Sequence, residues 1–158
     1  MDLRLREYRK SDLDAMVTLD RMCFAPEFLF DRTSMRRFAE ACNAVTVVAE
    51  SEADQGKLAG FVIVHIEQMR SGRRGYLITL DVASAYRRKR LASHLVQIAE
   101  ERARAAGARS MELHVYVENQ AAIRLYDSAG CVREAVRPAF YGEQRDAYAY
   151  RKLITASL

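Results

Sequence analysis

The chain is short of the residues that break or loosen structure. Its 158 residues include only 7 glycines and 2 prolines, and no tract is of low complexity. With 50% of the residues apolar, this composition excludes a disordered polymer and fits a domain with one sizeable core. Long hydrophobic runs are missing too, since nothing approaches the roughly 20 apolar residues that span a bilayer. The opening MDLRLREYRK is charged rather than signal-like, so export is not expected. Cysteine is scarce: Cys23, Cys42 and Cys131 are odd in number, far apart and without metal-type spacing. Reduced thiols in a cytoplasmic protein are the expectation. His65, His94 and His114 show no HExxH-like spacing, so a catalytic metal is not expected either. Charge is not one-sided: 25 basic against 21 acidic residues give a net +4, well short of a dedicated nucleic-acid binder.

What is present is a series of apolar segments set apart by polar turns. LRLRE from Leu3 alternates like a half-buried strand. Ser11, Asp12 and Asp14 read as a helix start, with Leu13, Met16, Leu19 and Cys23 following at helical spacing. Pro26 interrupts this pattern, FAPEFLFD forms an aromatic-rich loop, and a short helix is predicted over 34–41. VTVVAE from Val45, LAGFVIVHIEQ after the turn at Gln55 and Gly56, and YLITLDV after Ser71 and Gly72 are strands. A long helix runs from near Lys89 to Ala106, with Leu91, Leu95, Ile98 and Arg102 on one stripe and Gly107 ending it. MELHVYV is a strand, Asn119 caps a short helix closed by Gly130, and strands near 132–136 and 145–153 finish the chain. Helices separate some strands and hairpins join others. That predicts an α/β fold, one mixed sheet covered by helices on both faces, with no domain boundary.

The densest chemical signal is YRRKRLASHL at 86–95, where Arg87, Arg88, Lys89 and Arg90 crowd the junction between a strand and a helix. A helix N-terminus presents unpaired N–H groups and the positive end of the dipole. Adding four cations makes a cradle for a phosphate ester or pyrophosphate. Taken alone, a solvated basic helix start explains the run equally well.

The strand LITLDV, the turn YRRKRLA, the strand LHV and the N-x-x-A-x-x-L-Y pattern from Asn119 to Tyr126, followed by Gly130, resemble the GNAT acetyltransferase family. Within it, YLITLDVASAYRRKRLA, MELHVYVENQAAIRLY and the late PAFY are most similar to protein N-terminal (Nα) acetyltransferases. The resemblance implies a single domain over 1–158, with a central mixed, mostly antiparallel sheet of about six to seven strands flanked by about four helices. It implies acetyl-CoA as cosubstrate and no metal. The main chain of Leu80, Asp81 and Val82 would pair with the pantetheine arm. Arg87, Arg88, Lys89, Arg90, Leu91, Ala92 and Ser93 would hold the pyrophosphate, and Asn119 and Tyr126 would also touch the cofactor. The family's turn reads Arg/Gln-x-x-Gly-x-Gly/Ala: Arg87 and Ala92 match its ends, while Arg90 stands at its first glycine. A helix N-terminus does not require positive φ, so Arg90 is expected to keep helical geometry and still donate its N–H.

The reaction so implied moves acetyl to an amine by direct attack, through a tetrahedral intermediate, without a serine or cysteine nucleophile. His114 is the candidate base. Alternation puts Leu113, Val115 and Val117 on one strand face and Glu112, His114 and Tyr116 on the other. Alternation also puts Tyr76 on a face with Ile78, Leu80 and Val82, a core position by that criterion alone. The resemblance makes Tyr76 a partner of His114 through an ordered water, and Tyr126 the phenol beside the leaving sulfur. It assigns the acceptor peptide to Phe24, Pro26, Glu27 and Phe28 in the first interhelical loop and to Phe140 and Tyr141 between the last strands. A protein or peptide N-terminus is the implied partner, with a transient ribosome association, no membrane and no specific nucleic acid. Two alternatives remain open on the sequence: a GNAT acting on a lysine side chain or small-molecule amine, and a non-catalytic basic module for RNA or a ribosomal surface.

Overall fold

The computed structural model describes residues 2–87 and 90–154. Among these residues there are seven strands and four helices: β1 (Leu3–Glu7), α1 (Leu13–Cys23), α2 (Arg32–Ala39), β2 (Ala44–Ser51), β3 (Lys57–Met69), β4 (Gly72–Val82), α3 (Leu91–Ala105), β5 (Ala108–Tyr116), α4 (Gln120–Ser128), β6 (Val132–Arg137) and β7 (Ala147–Leu153). They build one sheet in the order β1-β2-β3-β4-β5-β7-β6. Every neighbouring pair is antiparallel except β4 with β5. The mixed sheet expected from the mingling of hairpins and helical crossovers is the one that forms.

The apolar periodicities divide the core between the two faces of this sheet. On one, Leu13, Met16 and Leu19 of α1 and Met35 of α2 pack on Val48, Phe61 and Ile63. On the other, Leu91, Leu95 and Val96 of α3 and Ile123 of α4 pack on Val47, Val62, Val64 and Leu113. The inner stripe of α3 differs from the predicted one. Ile98 and Arg102 are only partly buried, and Ala99 and Ala103 take the inward positions at 0% exposure. Small residues win there because the helix lies close to the sheet. A Cβ added at Gly75 would stand 2.6 Å from the Met111 sulfur and 3.1 Å from the Ala103 Cβ. Only glycine permits that approach. Arg102 turns outward instead and pairs with Glu7 of β1.

Two irregularities of β4 shape the rest of the molecule. The first is the short seam with β5: Arg73–Tyr76 runs beside Ala108–Glu112 and the two strands then diverge. The second is a bulge, since Ile63 faces Thr79 and Val64 faces Leu77, leaving Ile78 with no opposite residue. The bulge breaks the alternation assumed for Tyr76, Ile78, Leu80 and Val82. Ile78 packs toward α1 and α2, whereas Leu80 and Val82 belong to the α3 face.

Candidate active site

The divergence of β4 and β5 opens a cleft of about 740 Å³. Its walls come from both halves of the chain. Leu80, Val82, Arg87, Arg90, Ala92 and Ser93 line one end, and Asn119 and Tyr126 bound it from α4. Phe24, Phe28, His114 and Tyr141 line the other. Twelve of the residues singled out from the sequence thus share one cavity.

At the first end the main chain is the working material. Beyond Tyr76 the β4 edge has no β5 partner, so the backbone of Leu80 to Val82 faces an open slot. Hydrogen bonding within α3 begins with the His94 N–H donating to the Arg90 carbonyl at 3.1 Å. The N–H groups of Leu91, Ala92 and Ser93 therefore precede the helical ladder and meet no acceptor among the described residues, so they can receive an anion. Arg87 donates from Nε to the Val82 carbonyl at 3.3 Å, which ties the turn to the strand. Leu91 itself is a core residue, at 1% exposure, so only its backbone can take part. The Asp81 side chain is likewise turned away from the cleft, accepting from the Thr79 hydroxyl at 2.7 Å. Arg88 and Lys89 lie outside the described residues.

Arg90 departs from expectation. Its φ is 61° and ψ 16°, the left-handed region, immediately before α3 starts at Leu91. Left-handed geometry, rather than helical φ, is what position 90 supplies at the start of the helix. For a residue with a Cβ it costs about 1–2 kcal/mol. The first glycine of the family's turn has a physical reason, and this chain does without it.

At the second end the side chains do the work. The Tyr76 hydroxyl and the His114 Nδ1 are 2.7 Å apart, joining β4 to β5 where the strands begin to separate. Phe140 stacks on the His114 ring at 4.1 Å between centroids and 11° between planes. The Tyr141 hydroxyl donates to the His114 carbonyl at 3.0 Å. Burial, then the charges of Arg137 and Arg74, hold the His114 imidazole below its usual pKa, with Glu112 acting in the opposite sense. It is therefore neutral near pH 7 and able to accept a proton. Burial pushes the Tyr76 phenol up to about 12, so it stays protonated. Tyr126 is buried at the cleft's centre, and burial raises its phenol far above the ordinary tyrosine value. A neutral base and a neutral phenol suit proton transfer from an amine.

Phe28 meets Tyr116 at 5.0 Å and Tyr141 at 5.2 Å between ring centroids, closing an aromatic collar over this end. Pro26, Glu27 and Phe140 do not line the cleft: Pro26 and Glu27 are exposed on the loop, and Phe140 backs His114 from outside. Tyr116, Cys23 and Phe30 line it without having been singled out. For Tyr116 the signal was available, since it shares the His114 face of β5. Cys23 donates from Sγ to the Val82 carbonyl at 3.3 Å, a link across 59 residues that no local pattern announces. Asn119 does cap α4, accepting the Ala122 N–H at 3.1 Å. His65 bonds the Phe38 carbonyl at 2.8 Å, and His94 is exposed.

The sequence profile of the acetyltransferase (GNAT) family matches residues 13–131. The chain belongs to that family. It is 28% identical over 154 residues, 95% of its length and 82% of the other chain, to the N-alpha-acetyltransferase daf-31 of Caenorhabditis elegans. It is 30% identical to the uncharacterized N-acetyltransferase YdgE of Bacillus subtilis, over 53% of this chain and 54% of that one. Among solved structures, Arabidopsis thaliana NAA60 in complex with acetyl-CoA superimposes with a TM-score of 0.85 at 22% identity, covering 96% of this chain and 98% of that one. The domain is an acetyl-CoA-dependent acyltransferase. The open β4 edge, the free N–H groups of α3 and the Arg87 and Arg90 side chains beside them fit a long pyrophosphate-bearing thioester. Among the described residues no His, Cys, Asp or Glu side chains converge as metal ligands.

Proposed function

We propose that this acetyltransferase modifies the α-amine of a protein or peptide N-terminus. The observation that carries the reading is the Tyr76–His114 pair, 2.7 Å apart and roofed by Phe140, opening beneath the aromatic collar of Phe28, Tyr116 and Tyr141. The similarity to N-alpha-acetyltransferases over nearly the whole chain supports it.

Acetyl-CoA supplies the activated acyl group and a thiolate leaving group. Its phosphates go to the N–H groups of Leu91, Ala92 and Ser93 and to Arg87 and Arg90, with Arg88 and Lys89 as further cations. The main chain of Leu80, Asp81 and Val82 orients its arm, and Asn119 borders it. The Nε2 of His114 takes the proton from the incoming amine, directly or through one water. For that nitrogen to be bare, Nδ1 must carry the ring hydrogen and donate it to the Tyr76 oxygen. Tyr76 then keeps its own hydroxyl hydrogen for the water or the amine. Tyr126, held protonated by burial, donates to the departing sulfur.

A histidine base suits an α-amine, whose pKa is about 8, better than a lysine ε-amine at about 10.4; the difference costs about 3 kcal/mol more to deprotonate. The collar residues, together with Phe24, take the first residues of the acceptor. Measuring CoA release with short peptides that differ in their first two residues tests the reading. Free α-amine peptides should outcompete Nα-blocked lysine peptides and polyamines at pH 7. The opposite ranking would overturn it.

A further inference from the structure

Behind the cleft, on the α1 side of the sheet, two carboxyl groups meet with no counter-charge beside them among the described residues. Asp20, in the last turn of α1, and Asp81, on β4, are each 1% exposed. One oxygen of each is accounted for: Asp20 Oδ2 accepts the Phe30 N–H at 3.0 Å, and Asp81 Oδ1 accepts the Thr79 hydroxyl at 2.7 Å. The remaining oxygens, Asp20 Oδ1 and Asp81 Oδ2, are fully buried and have no other hydrogen-bond partner among the described residues. The two side chains are within hydrogen-bonding reach of each other. Two bare oxygen lone pairs facing one another in a dry interior repel, whereas one proton between them satisfies both. Burial first, and the neighbouring Asp20 second, push the Asp81 carboxyl well above the usual carboxylate range.

We infer that Asp81 and Asp20 share one proton, Asp81 donating from Oδ2 to Asp20 Oδ1, and that this bond is a latch holding the α1–α2 loop against the cofactor strand. The chain of bonds runs Thr79–Asp81–Asp20–Phe30, from the β4 bulge to the loop that carries Phe24, Phe28 and Phe30 into the cleft. A second link beside it, Cys23 Sγ to the Val82 carbonyl at 3.3 Å, joins the same two elements. Asp20 and Asp81 are thus positioning residues: neither side chain reaches the cleft, yet both set where its aromatic wall stands. That this wall is the acceptor's wall rests on the function proposed above.

Substitution by asparagine gives a sharp test, because donors and acceptors can be counted. In Asp81→Asn, the amide oxygen still accepts from Thr79 and the amide N–H donates to the Asp20 carboxylate. In Asp20→Asn, the amide oxygen accepts the Phe30 N–H and the amide N–H donates to the Asp81 carboxylate. In the double variant the oxygens are already engaged, so two NH₂ groups face each other. The Phe30 amide should therefore exchange with solvent at least about ten-fold faster in the double variant than in either single variant. With an α-amine peptide, the acceptor KM should rise about ten-fold over either single variant. The wild type should show the infrared C=O band of a protonated buried carboxylic acid, and both single variants should lack it.

Absence of that band from the wild type overturns the shared proton. Equal Phe30 exchange in single and double variants overturns the latch. The infrared reading needs only the wild type and the single variants, so it decides even if the double variant does not fold. If the band and the exchange behave as stated but no α-amine peptide is acetylated, the latch is supported and the acceptor assignment alone falls.

Discussion

The two ends of the cleft are built on different principles. At the end proposed for the cofactor the groups on offer are amides and carbonyls of β4 and the first turn of α3, positioned by the bulge and the strand divergence. At the acceptor end they are rings and an imidazole, each placed by its own packing: Phe28 against Tyr116 and Tyr141, His114 between Tyr76 and Phe140. Backbone chemistry tolerates side-chain change, which is how Arg90 can stand at a left-handed position. Ring chemistry does not. The comparison therefore predicts unequal responses to substitution at the two ends.

The largest effect belongs to His114→Ala, which should lower kcat/KM by about 10²- to 10⁴-fold. Because burial depresses the His114 pKa, its protonation should add a second loss of rate only below the ordinary imidazole range, of about 6.5, beneath the loss set by protonation of the acceptor amine at about pH 8. That limb should vanish in the variant, while the limb set by ionisation of the acceptor amine stays. An unchanged acidic limb would remove His114 as the base. Next, Tyr126→Phe should lower kcat about 10- to 100-fold, the worth of a hydrogen bond to a developing charge, with acetyl-CoA affinity retained. Calorimetry beside steady-state kinetics separates the two quantities. Phe28→Ala should raise the acceptor KM about ten-fold, roughly 1.4 kcal/mol, and leave the acetyl-CoA KM alone. A matching rise for both substrates would erase the distinction between the ends. Smallest is Arg90→Gly, which relieves the left-handed strain and should stabilise the fold by about 1 kcal/mol, or about 2–4 °C in Tm. Its CoA affinity should change by no more than about three-fold if the amides hold the phosphate. A larger loss would assign the binding to the guanidinium instead.

Much of this molecule could be read from its residues. The strand and helix order, the caps at Asn119 and Gly107, and the face shared by His114 and Tyr116 all follow from local spacing. The bulge at Ile78 could not, because YLITLDV is apolar enough to hide a change of phase. The left-handed Arg90 was equally hidden, since a glycine there announces the turn and an arginine does not. The inner stripe of α3 was misjudged for a related reason. Hydrophobicity favoured Ile98, but the closeness of helix to sheet at Gly75 selected alanines. Asp20 carries no signal in the sequence beyond its place on a helix, and its meeting with Asp81 joins segments 61 apart in sequence (81 − 20). Such meetings are properties of the closed fold.

The fork between β4 and β5 has one more consequence. Unpaired strand edges normally lie at a sheet's margin, where they invite a strand from another protein and seed aggregation. Here the bare rungs are interior, with three further strands, β5, β7 and β6, continuing the sheet beyond them. On the function proposed above, the amide-bearing arm of acetyl-CoA is the partner that uses these rungs. The enzyme can thus keep adhesive backbone permanently on offer to its small partner and out of reach of its neighbours.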